Sequence, residues 1–372
     1  MRVLVVNAGS SSLKLSVVDE SDRLLASEDL PLSGGRLDDG AIRDAITRNG
    51  PVDAVGHRIV HGGTEFVEPV LVDARVLCRL EALTDLAPLH QPKSLRGLET
   101  VSRILPAIPA VACFDTAFHA LIPAAASTYA LPPQWRHRWD LKRYGFHGLS
   151  HAYASRRVAE MMVRDPRDLR IVTCHLGAGA SLAAVQGGRS VDTTMGFTPL
   201  EGLVMATRSG SVDPGLLLWL EEHVGMPPSE LAATLEHRSG LLGLTGSADM
   251  RVILQNEADG NADSALAIAV YLHRLRAGVA SMVAAMGGLD AVAFTGGVGE
   301  HSTPIRTRAA EGLGYLGVVL DVKANEEGAP DREIGAAGAP VRAFVIEARE
   351  DVEIARGVRH VLEAATASSG AE

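Results

Sequence analysis

The first residues of the chain have the hydrophobic pattern of a β-hairpin. Residues 3–6 are apolar, residues 7–12 are small or polar, and residues 13–18 return to an alternating pattern. Two such runs on either side of a small-residue turn predict two paired strands. The turn carries Asn7, several hydroxyl groups and Lys14, so it is a candidate anion-binding loop. Taken alone, it is equally typical of an ordinary glycine and serine turn.

The same pattern recurs near the middle of the chain. Residues 171–176 are typical of a strand, residues 177–181 of a small-residue turn, and residues 182–185 of a return strand. A third buried strand at residues 291–295 runs into a glycine-rich turn at residues 296–299. The repetition predicts a duplicated core in which each half presents a loop of phosphate size. None of these loops has the GxxxxGK[ST] spacing of a P-loop.

Two segments have the apolar periodicity of helices. The longer covers residues 262–286, and the other covers residues 351–364 with its charges on one side. Strands and helices in this order predict an α/β protein. The small, polar residues 366–372 predict a frayed end.

Composition narrows the class of protein. A chain of 372 residues usually forms two domains, because single cores stop growing at roughly 250–300 residues. The sequence has no run of about 18 apolar residues and no secretory leader pattern, and its 3 cysteines form no CxxC pair. We therefore expect a cytoplasmic protein with no membrane span. The net charge of -10 and the aromatic content of 4% argue against nucleic acid as a partner.

Four ionisable side chains stand beside glycines or apolar runs. They are Arg58, Asp115, His147 and Arg208. For most of them a surface ion pair is the simpler explanation, but a carboxylate among apolar residues, as at Asp115, needs a partner or a metal. Together with phosphate-sized loops the four favour phosphoryl transfer, which depends on positioning and charge neutralisation. His147 and His151 do not predict a zinc protease, because the glutamate of that motif is missing.

The motifs of the chain resemble those of the acetate kinase family, within the wider group of sugar kinases, actin and heat-shock chaperone ATPases. In order, they are NAGSSSLK at Asn7, HRIVHGG at His57, DLAPLHQP at Asp85, FDTAFH at Phe114, RYGFHGLSH at Arg143, MGFTPLEGLVMATRSG at Met195 and FTGGVGE at Phe294. The resemblance implies the two-domain actin-like ATPase fold, with duplicated ribonuclease H-like domains around a central cleft. The implied domains are residues 1–148 with 349–372, and residues 149–348, the latter also forming a homodimer.

The resemblance also implies a reaction, the transfer of a phosphoryl group from ATP to acetate to give acetyl phosphate and ADP. Arg58 and Arg208 would hold the carboxylate and the transferring group, and His147 would donate to its equatorial oxygens. Asn7 and Glu350 would place Mg²⁺, with Mn²⁺ as an alternative. The remaining implied residues for nucleotide are Lys14, Ser10, Ser12, His175, Leu176, Gly177, Ala178, Gly179, Asp249, Met250, Arg251, Gly297, Val298, Gly299, Glu300 and His301. Those for the acetate pocket are Arg58, Val60, Leu89, Phe146 and Pro199.

Asp115 is the residue discussed as an acid or base in families of this kind. The attacking group is a carboxylate with a pKa near ~4, so it carries no proton to remove at neutral pH. We therefore expect Asp115 to orient Arg58 or a water on the metal.

The chain departs from the family pattern at the nucleotide side. Ala178 and His301 stand where asparagine is common, and Ser211 stands where aspartate is common. We expect weaker nucleotide affinity and intact chemistry, with the backbone amides of Gly177 and Gly179 still serving the phosphates.

Three other functions remain open from the sequence. The first is a kinase of propionate or another short-chain carboxylate, for which Val60 is the discriminating residue. The second is a catalytically weakened nucleotide-binding relative, and the third is a nucleotide sensor of the same fold, because fold alone does not determine function.

Overall fold

The computed structural model describes residues 1–9, 12–31, 38–86 and 91–369. The chain divides into two compact units. The first unit contains Met1–Ala120 and Arg349–Glu372, and the second contains Leu121–Ala348. Each unit has its own sheet and its own core.

The predicted hairpins and the third buried strand all form. The strands of the first unit are β1 (Val3–Ala8), β2 (Ser12–Val18), β3 (Leu24–Pro31), β4 (Ala54–Ile59), β5 (Val70–Leu71) and β6 (Ala110–Phe114). Those of the second unit are β7 (Arg170–Leu176), β8 (Ala180–Gln186), β9 (Arg189–Thr193), β10 (Ala291–Thr295), β11 (Arg332–Glu333) and β12 (Arg342–Val345).

The two sheets have the same topology. Within the described residues each sheet is six-stranded, in the order β3-β2-β1-β4-β6-β5 in the first unit and β9-β8-β7-β10-β12-β11 in the second. In both, the first strand pairs antiparallel with its hairpin partner and parallel with a second strand, which pairs parallel with a third. The predicted duplication of an α/β core is therefore confirmed.

Helices connect and cover these strands. They are α1 (Asp39–Arg48), α2 (Ala74–Ala82), α3 (Gln91–Ile104), α4 (Ala124–Ser127), α5 (Pro133–Trp139), α6 (Gly148–Met162), α7 (Pro214–Trp219), α8 (Pro228–His237), α9 (Gly240–Thr245), α10 (Met250–Ala258), α11 (Ala262–Met286), α12 (Gly296–His301), α13 (Thr303–Glu311), α14 (Val322–Glu326) and α15 (Glu350–Ser369).

The last helix of the chain packs against the sheet of the first unit. Helix α15 lies so close to β4 that a Cβ on Gly56 would stand 2.5 Å from Cγ2 of Ile354 and 2.8 Å from Cγ2 of Val358. Only glycine fits at such a crossing. This close approach holds the first residue of α15, Glu350, beside the sheet.

His57 is a neutral imidazole in the core of the first unit. It lies on β4 and is 1% exposed, and burial lowers its pKa to about 3. In the unfolded chain its pKa is near ~6.5, so the unfolded state binds a proton in acid that the folded state does not. The contribution of His57 to stability is therefore complete above pH ~6.5 and declines as the pH falls towards the folded value.

We expect His57→Leu to flatten the acid dependence of stability. Between pH 7.5 and pH 5 the native chain should lose on the order of 2 kcal/mol more free energy of unfolding than the variant. Urea titrations of both proteins at the two pH values test this. Equal losses in the two proteins would contradict a neutral buried His57.

Helix α11 is the main core helix of the second unit. A Cβ on Gly278 would stand 2.8 Å from Cδ1 of Leu182, so the helix packs directly on β8. Of the helices in the described ranges, it is the one long and apolar enough to cross a membrane, with a hydropathy of 1.3. Core helices of soluble proteins meet the same criteria, so this is weak support for a span.

The glycine-rich segment after β10 is a helix rather than the expected turn. Gly296 alone makes the turn, with φ of 76°, and α12 begins there directly. A Cβ on Gly296 would stand 2.9 Å from the carbonyl oxygen of Leu176. A single left-handed glycine is therefore enough to redirect the chain, and the following glycines can adopt helical angles.

Residues 121–148 belong to the second unit in the structure, although the predicted domain boundary lies at residue 148. Tyr129 donates a hydrogen bond from its hydroxyl to Glu201 at 2.6 Å, and Arg143 donates to the same carboxylate at 2.7 Å. These contacts join the segment to residues far along the second unit.

Candidate active site

Three predicted residues of the first unit meet at one edge of its sheet. Asn7 lies near the end of β1, Arg58 near the end of β4, and Asp115 directly after β6. The three strands are parallel neighbours. Because the carboxyl ends of parallel strands share one edge, side chains from separate motifs are brought together there.

These side chains form one hydrogen-bonded cluster with the first residue of α15. Arg58 donates from Nε to Oδ1 of Asp115 at 3.0 Å and from Nη2 to Oδ2 at 2.5 Å. Its Nη1 donates to Oδ1 of Asn7 at 3.2 Å. The amide of Asn7 donates in turn to Oε2 of Glu350 at 3.1 Å, and that oxygen lies 3.6 Å from Nε of Arg58.

The cluster places one cation between two carboxylates in a largely buried setting. Asp115 is 1% exposed, and burial raises its pKa to about 6, with Arg58 opposing the shift and Glu350 adding to it. Burial lowers the pKa of Arg58, but the carboxylates of Asp115 and Glu350 raise it above its ordinary value overall. The arginine therefore stays charged, and its two hydrogen bonds to Asp115 fix its orientation.

In the second unit, His147 stands at the start of α6. Its φ of 56° lies in the left-handed region, which non-glycine residues seldom occupy. Its ring lies 4.3 Å from that of His175, centroid to centroid, and its Nδ1 is 2.9 Å from Oγ of Ser181. His175 is itself held by Ser150, whose Oγ lies 2.8 Å from Nδ1. The two imidazoles are thus each fixed by a serine.

Arg208 reaches the same place from a loop. A Cβ on Gly179 would stand 2.8 Å from Nη2 of Arg208 and 3.2 Å from Nε2 of His147. Nη1 of Arg208 donates to the carbonyl oxygen of Pro199 at 2.6 Å, and burial lowers the pKa of the guanidinium. Two predicted catalytic side chains therefore flank the turn between β7 and β8.

One backbone N–H of that turn is hydrogen-bonded within the turn itself. The N–H of Gly177 donates to the carbonyl oxygen of Gly179 at 2.9 Å, and the carbonyl oxygen of Ala178 accepts from the N–H of Ala206 at 3.1 Å. The N–H of Gly177 is therefore paired within the turn in this structure, and its contact with a phosphate stays a prediction.

A pocket of about 890 Å³ opens beside this turn within the second unit. Its walls come from the turn, from the start of α10 and from α12, with further residues of α9 and α11. Its lining residues that the sequence predicted are Gly177, Ala178, Asp249, Met250, Arg251, Gly297, Val298 and His301. Its size suits a small ligand.

Some predicted nucleotide residues are not among the pocket walls. Leu176 is fully buried, and Gly299 packs against the backbone of Phe294. The carboxylate of Glu300 accepts a hydrogen bond from the N–H of Ala348 at 3.0 Å. Leu176 is the last residue of β7, and Gly299 and Glu300 lie on α12, so the three contact the surrounding structure rather than the pocket.

The other predicted residues are distributed over both units. Ser12 and Lys14 lie on β2, where Lys14 is exposed and pairs in register with Asn7. Val60 is 6% exposed in the first unit and Phe146 is 1% exposed in the second. Ser10 and Leu89 lie outside the described residues.

Comparison with known proteins agrees with these features. The sequence profile of the acetokinase family matches residues 37–356. The chain belongs to the acetokinase family. The family and the kinase class predicted from the motifs are thereby confirmed.

Several acetokinase relatives match over almost the whole chain. A protein named acetate kinase from Nostoc punctiforme is 44% identical over 359 residues, which cover 96% of this chain and 87% of the relative. Another protein of that name, from Leifsonia xyli, is 43% identical over 385 residues, covering 95% and 97%.

Two solved structures of similar proteins share the fold. A propionate kinase from Francisella tularensis is 34% identical with a TM-score of 0.89, over 96% of this chain and 98% of that one. An acetate kinase from Porphyromonas gingivalis is 34% identical with a TM-score of 0.88, over 97% and 99%. The predicted two-domain, actin-like α/β fold class is confirmed.

Some pocket residues of the chain were not predicted. Leu241 lines the pocket from α9, within a glycine-rich segment of the sequence. Tyr271 lines the pocket from the middle of α11. The sequence gives no signal for this role, because the helical pattern does not show which residues of the helix face a pocket.

Proposed function

We propose that this chain is an acetate kinase, which transfers the γ-phosphoryl group of ATP to acetate. The observation that carries the proposal is the bidentate pair of Arg58 and buried Asp115 at the edge of the first sheet. A guanidinium fixed in this way offers its remaining N–H groups to an anionic acceptor or phosphoryl group.

The proposed reaction needs no proton transfer from acetate. A carboxylate oxygen attacks the γ-phosphorus in line, a new P–O bond forms, and the bond to the β-phosphate oxygen of ADP breaks with its electron pair leaving on ADP. Catalysis then depends on placing the groups and neutralising charge on the equatorial oxygens. Arg58, Arg208 and His147 are the proposed donors to those oxygens.

The proposed role of Asp115 is to orient Arg58. Its two carboxylate oxygens accept from Nε and Nη2 of the arginine, so both hold the guanidinium in one orientation. A carboxylate acceptor in its ionised form supplies no proton in any case.

The donor set beside Arg58 fits a magnesium ion. Among the described residues no group of three or more His, Cys, Asp and Glu side chains is arranged to hold a metal. Mg²⁺ usually keeps several waters and takes one or two carboxylates plus substrate phosphates. The proposed ligands are Glu350 and the Asn7 oxygen, which accepts from Arg58 in this structure and would turn to the ion. Bound there, Mg²⁺ or Mn²⁺ would neutralise phosphate charge.

The proposed nucleotide site is the pocket of the second unit. The turn at Ala178 lines the pocket, and His147 and Arg208 stand next to Gly179 of the same turn. A nucleotide in the pocket with its phosphates at that turn would present them to both side chains. Lys14 of the first unit is the further proposed phosphate contact.

Propionate is the rival acceptor. One similar solved structure is named a propionate kinase, so the family includes both acceptors. We assign acetate because Val60 is β-branched and almost fully buried, and one extra methylene in a tight pocket costs about 1–3 kcal/mol.

A hydroxamate assay with ATP, Mg²⁺ and each of acetate, propionate and butyrate tests the proposed function. We expect acetate to have the highest kcat/KM. A higher value for propionate would overturn the substrate assignment, and no product with any acid would overturn the kinase proposal.

Ala178→Asn is expected to tighten nucleotide binding. The amide adds a donor in the pocket wall, next to a turn whose Gly177 N–H is already used. We expect the KM for ATP to fall by about tenfold at most, which corresponds to about 1.4 kcal/mol, with the KM for acetate unchanged. An equal change in both KM values would show a general effect on the turn instead.

The proposed assembly is a cytoplasmic homodimer built through the second unit. Helix α7 and the π-helix after it, Leu220–Val224, expose Leu216, Leu218, Trp219 and Val224. Exposed apolar side chains in one segment are typical of an interface. We expect light scattering to give a dimer mass and Trp219→Glu to give a monomer; a monomeric native chain would contradict the proposal.

A further inference from the structure

A chain of hydrogen bonds leads from the interior of the second unit to His147. Oγ1 of Thr173 lies 2.7 Å from Nδ1 of His151. Nε2 of His151 lies 2.8 Å from Oγ of Ser181, which is 2.9 Å from Nδ1 of His147. Thr173, His151 and Ser181 are all fully buried, so bulk solvent does not compete for these contacts.

The donor and acceptor of each of these hydrogen bonds follow from the one at Thr173. A hydroxyl group has one proton to donate, and a buried proton needs an acceptor. Among the residues that the structure describes, the hydroxyl of Thr173 has one hydrogen-bond partner, Nδ1 of His151. The hydroxyl therefore donates to Nδ1, and the neutral ring of His151 carries its proton on Nε2.

The hydroxyl of Ser181 is oriented for the same reason. Nε2–H of His151 donates to Oγ of Ser181, so the serine proton needs another acceptor. Within the described part of the chain the other partner of this hydroxyl is Nδ1 of His147. Ser181 then donates to Nδ1, and the proton of neutral His147 is left on Nε2, the atom next to Arg208 at Gly179.

We propose that Thr173, acting through His151 and Ser181, positions the proton of His147 on Nε2 and keeps that ring a hydrogen-bond donor at the phosphate turn. Thr173, His151 and Ser181 are positioning residues, since none of them would touch the nucleotide. The catalytic consequence rests on the proposed function, whereas the tautomer itself does not.

Histidine-selective ¹⁵N NMR of the full chain, without nucleotide at pH 8, tests the tautomer directly. We expect His147 and His151 to be protonated on Nε2, with assignments taken from His147→Gln and His151→Gln spectra. Thr173→Val should allow a mixture of both tautomers at His147, and Thr173→Ser should restore the native signal because it keeps the hydroxyl.

A matched control lies on β9 of the same sheet. Thr193 is 1% exposed, and its Oγ1 donates to the carbonyl oxygen of Leu182 at 2.7 Å, away from the histidines. Thr193→Val loses a buried hydrogen bond of the same kind and should leave the signals of His147 unchanged. Ser181→Ala removes the hydroxyl group that joins the two rings. It is a second variant in which both tautomers of His147 should be populated.

The kinetic expectation follows from the loss of a fixed donor. Thr173→Val should lower kcat roughly tenfold with KM for ATP and acetate within about twofold, because removing a donor outright costs about 10²–10³. Thr173→Ser and Thr193→Val should stay near the native kcat. A native His147 protonated on Nδ1, or unchanged His147 signals in both Thr173→Val and Ser181→Ala, would overturn the proposal. Inactivity of the native chain with acetate would overturn only the proposed function.

Discussion

Arg58→Lys is expected to lower kcat/KM by about 10²–10³-fold while the protein remains folded. Lysine keeps the charge but has a single ammonium group, so it cannot contact both oxygens of Asp115 and the amide of Asn7 at once. Asp115 would then lose the bidentate partner that opposes the rise in its pKa. The substitution therefore removes the fixed geometry of Arg58 and keeps its charge. The acetate assay with the purified variant measures the loss of kcat/KM.

Arg103→Lys supplies the control for this substitution. Arg103 pairs with Asp39 in the same unit, but both side chains are largely exposed, at 63% and 48%. Exposed pairs contribute little, so we expect native activity and stability. An Arg58→Lys enzyme within threefold of the native kcat/KM would mean that charge alone suffices, contrary to the proposed role of Asp115.

Gly179→Ala is expected to lower kcat by about 10–10²-fold. The new methyl group would stand 2.8 Å from Nη2 of Arg208 and 3.1 Å from Cε1 of His147, both closer than ordinary contact. The guanidinium is the end of a flexible side chain, so the fold tolerates the change while the group moves. Because displacement of a positioning group by about 1 Å can cost up to about 10²-fold, the loss should appear in turnover.

Gly314→Ala controls for the general effect of adding a methyl group. Among the described residues, no atom beyond its immediate neighbours in the chain lies within 4 Å of the position that its Cβ would take, so this variant should have native kcat. Thermal unfolding should show both variants folded at the assay temperature. If Gly179→Ala turned over at the native rate, neither Arg208 nor His147 would need its observed position for the reaction.

Local pattern was sufficient for the elements of secondary structure that carry the site. The apolar runs around residues 3–18 and 170–186 predicted both hairpins, because strand formation follows side-chain alternation and turn chemistry. The helix at Ala262–Met286 forms over the predicted residues. The segment at Gly296 was predicted as a turn and is a helix, since one left-handed glycine makes the turn and its neighbours take helical angles.

The motifs also identified residues that meet in space, but not how they meet. Asn7, Arg58 and Asp115 stand in three separate motifs, and their convergence follows from the parallel order of β1, β4 and β6. The bidentate geometry of Arg58, by contrast, depends on side-chain rotamers and burial. Those are properties of packing and leave no periodic signal in a single sequence.

The duplicated α/β core, the family and the set of candidate residues could all be predicted from the sequence, because strand patterns and long motifs are local. The folded chain, in contrast, fixes which groups of the site are hydrogen-bonded to distant segments. Glu300 accepts a hydrogen bond at its carboxylate from the N–H of Ala348, 48 positions away. His151 joins residues 22 and 30 positions away in the chain. Hydrogen bonds depend on distance and direction between atoms, and only the folded chain brings atoms so far apart in sequence within reach.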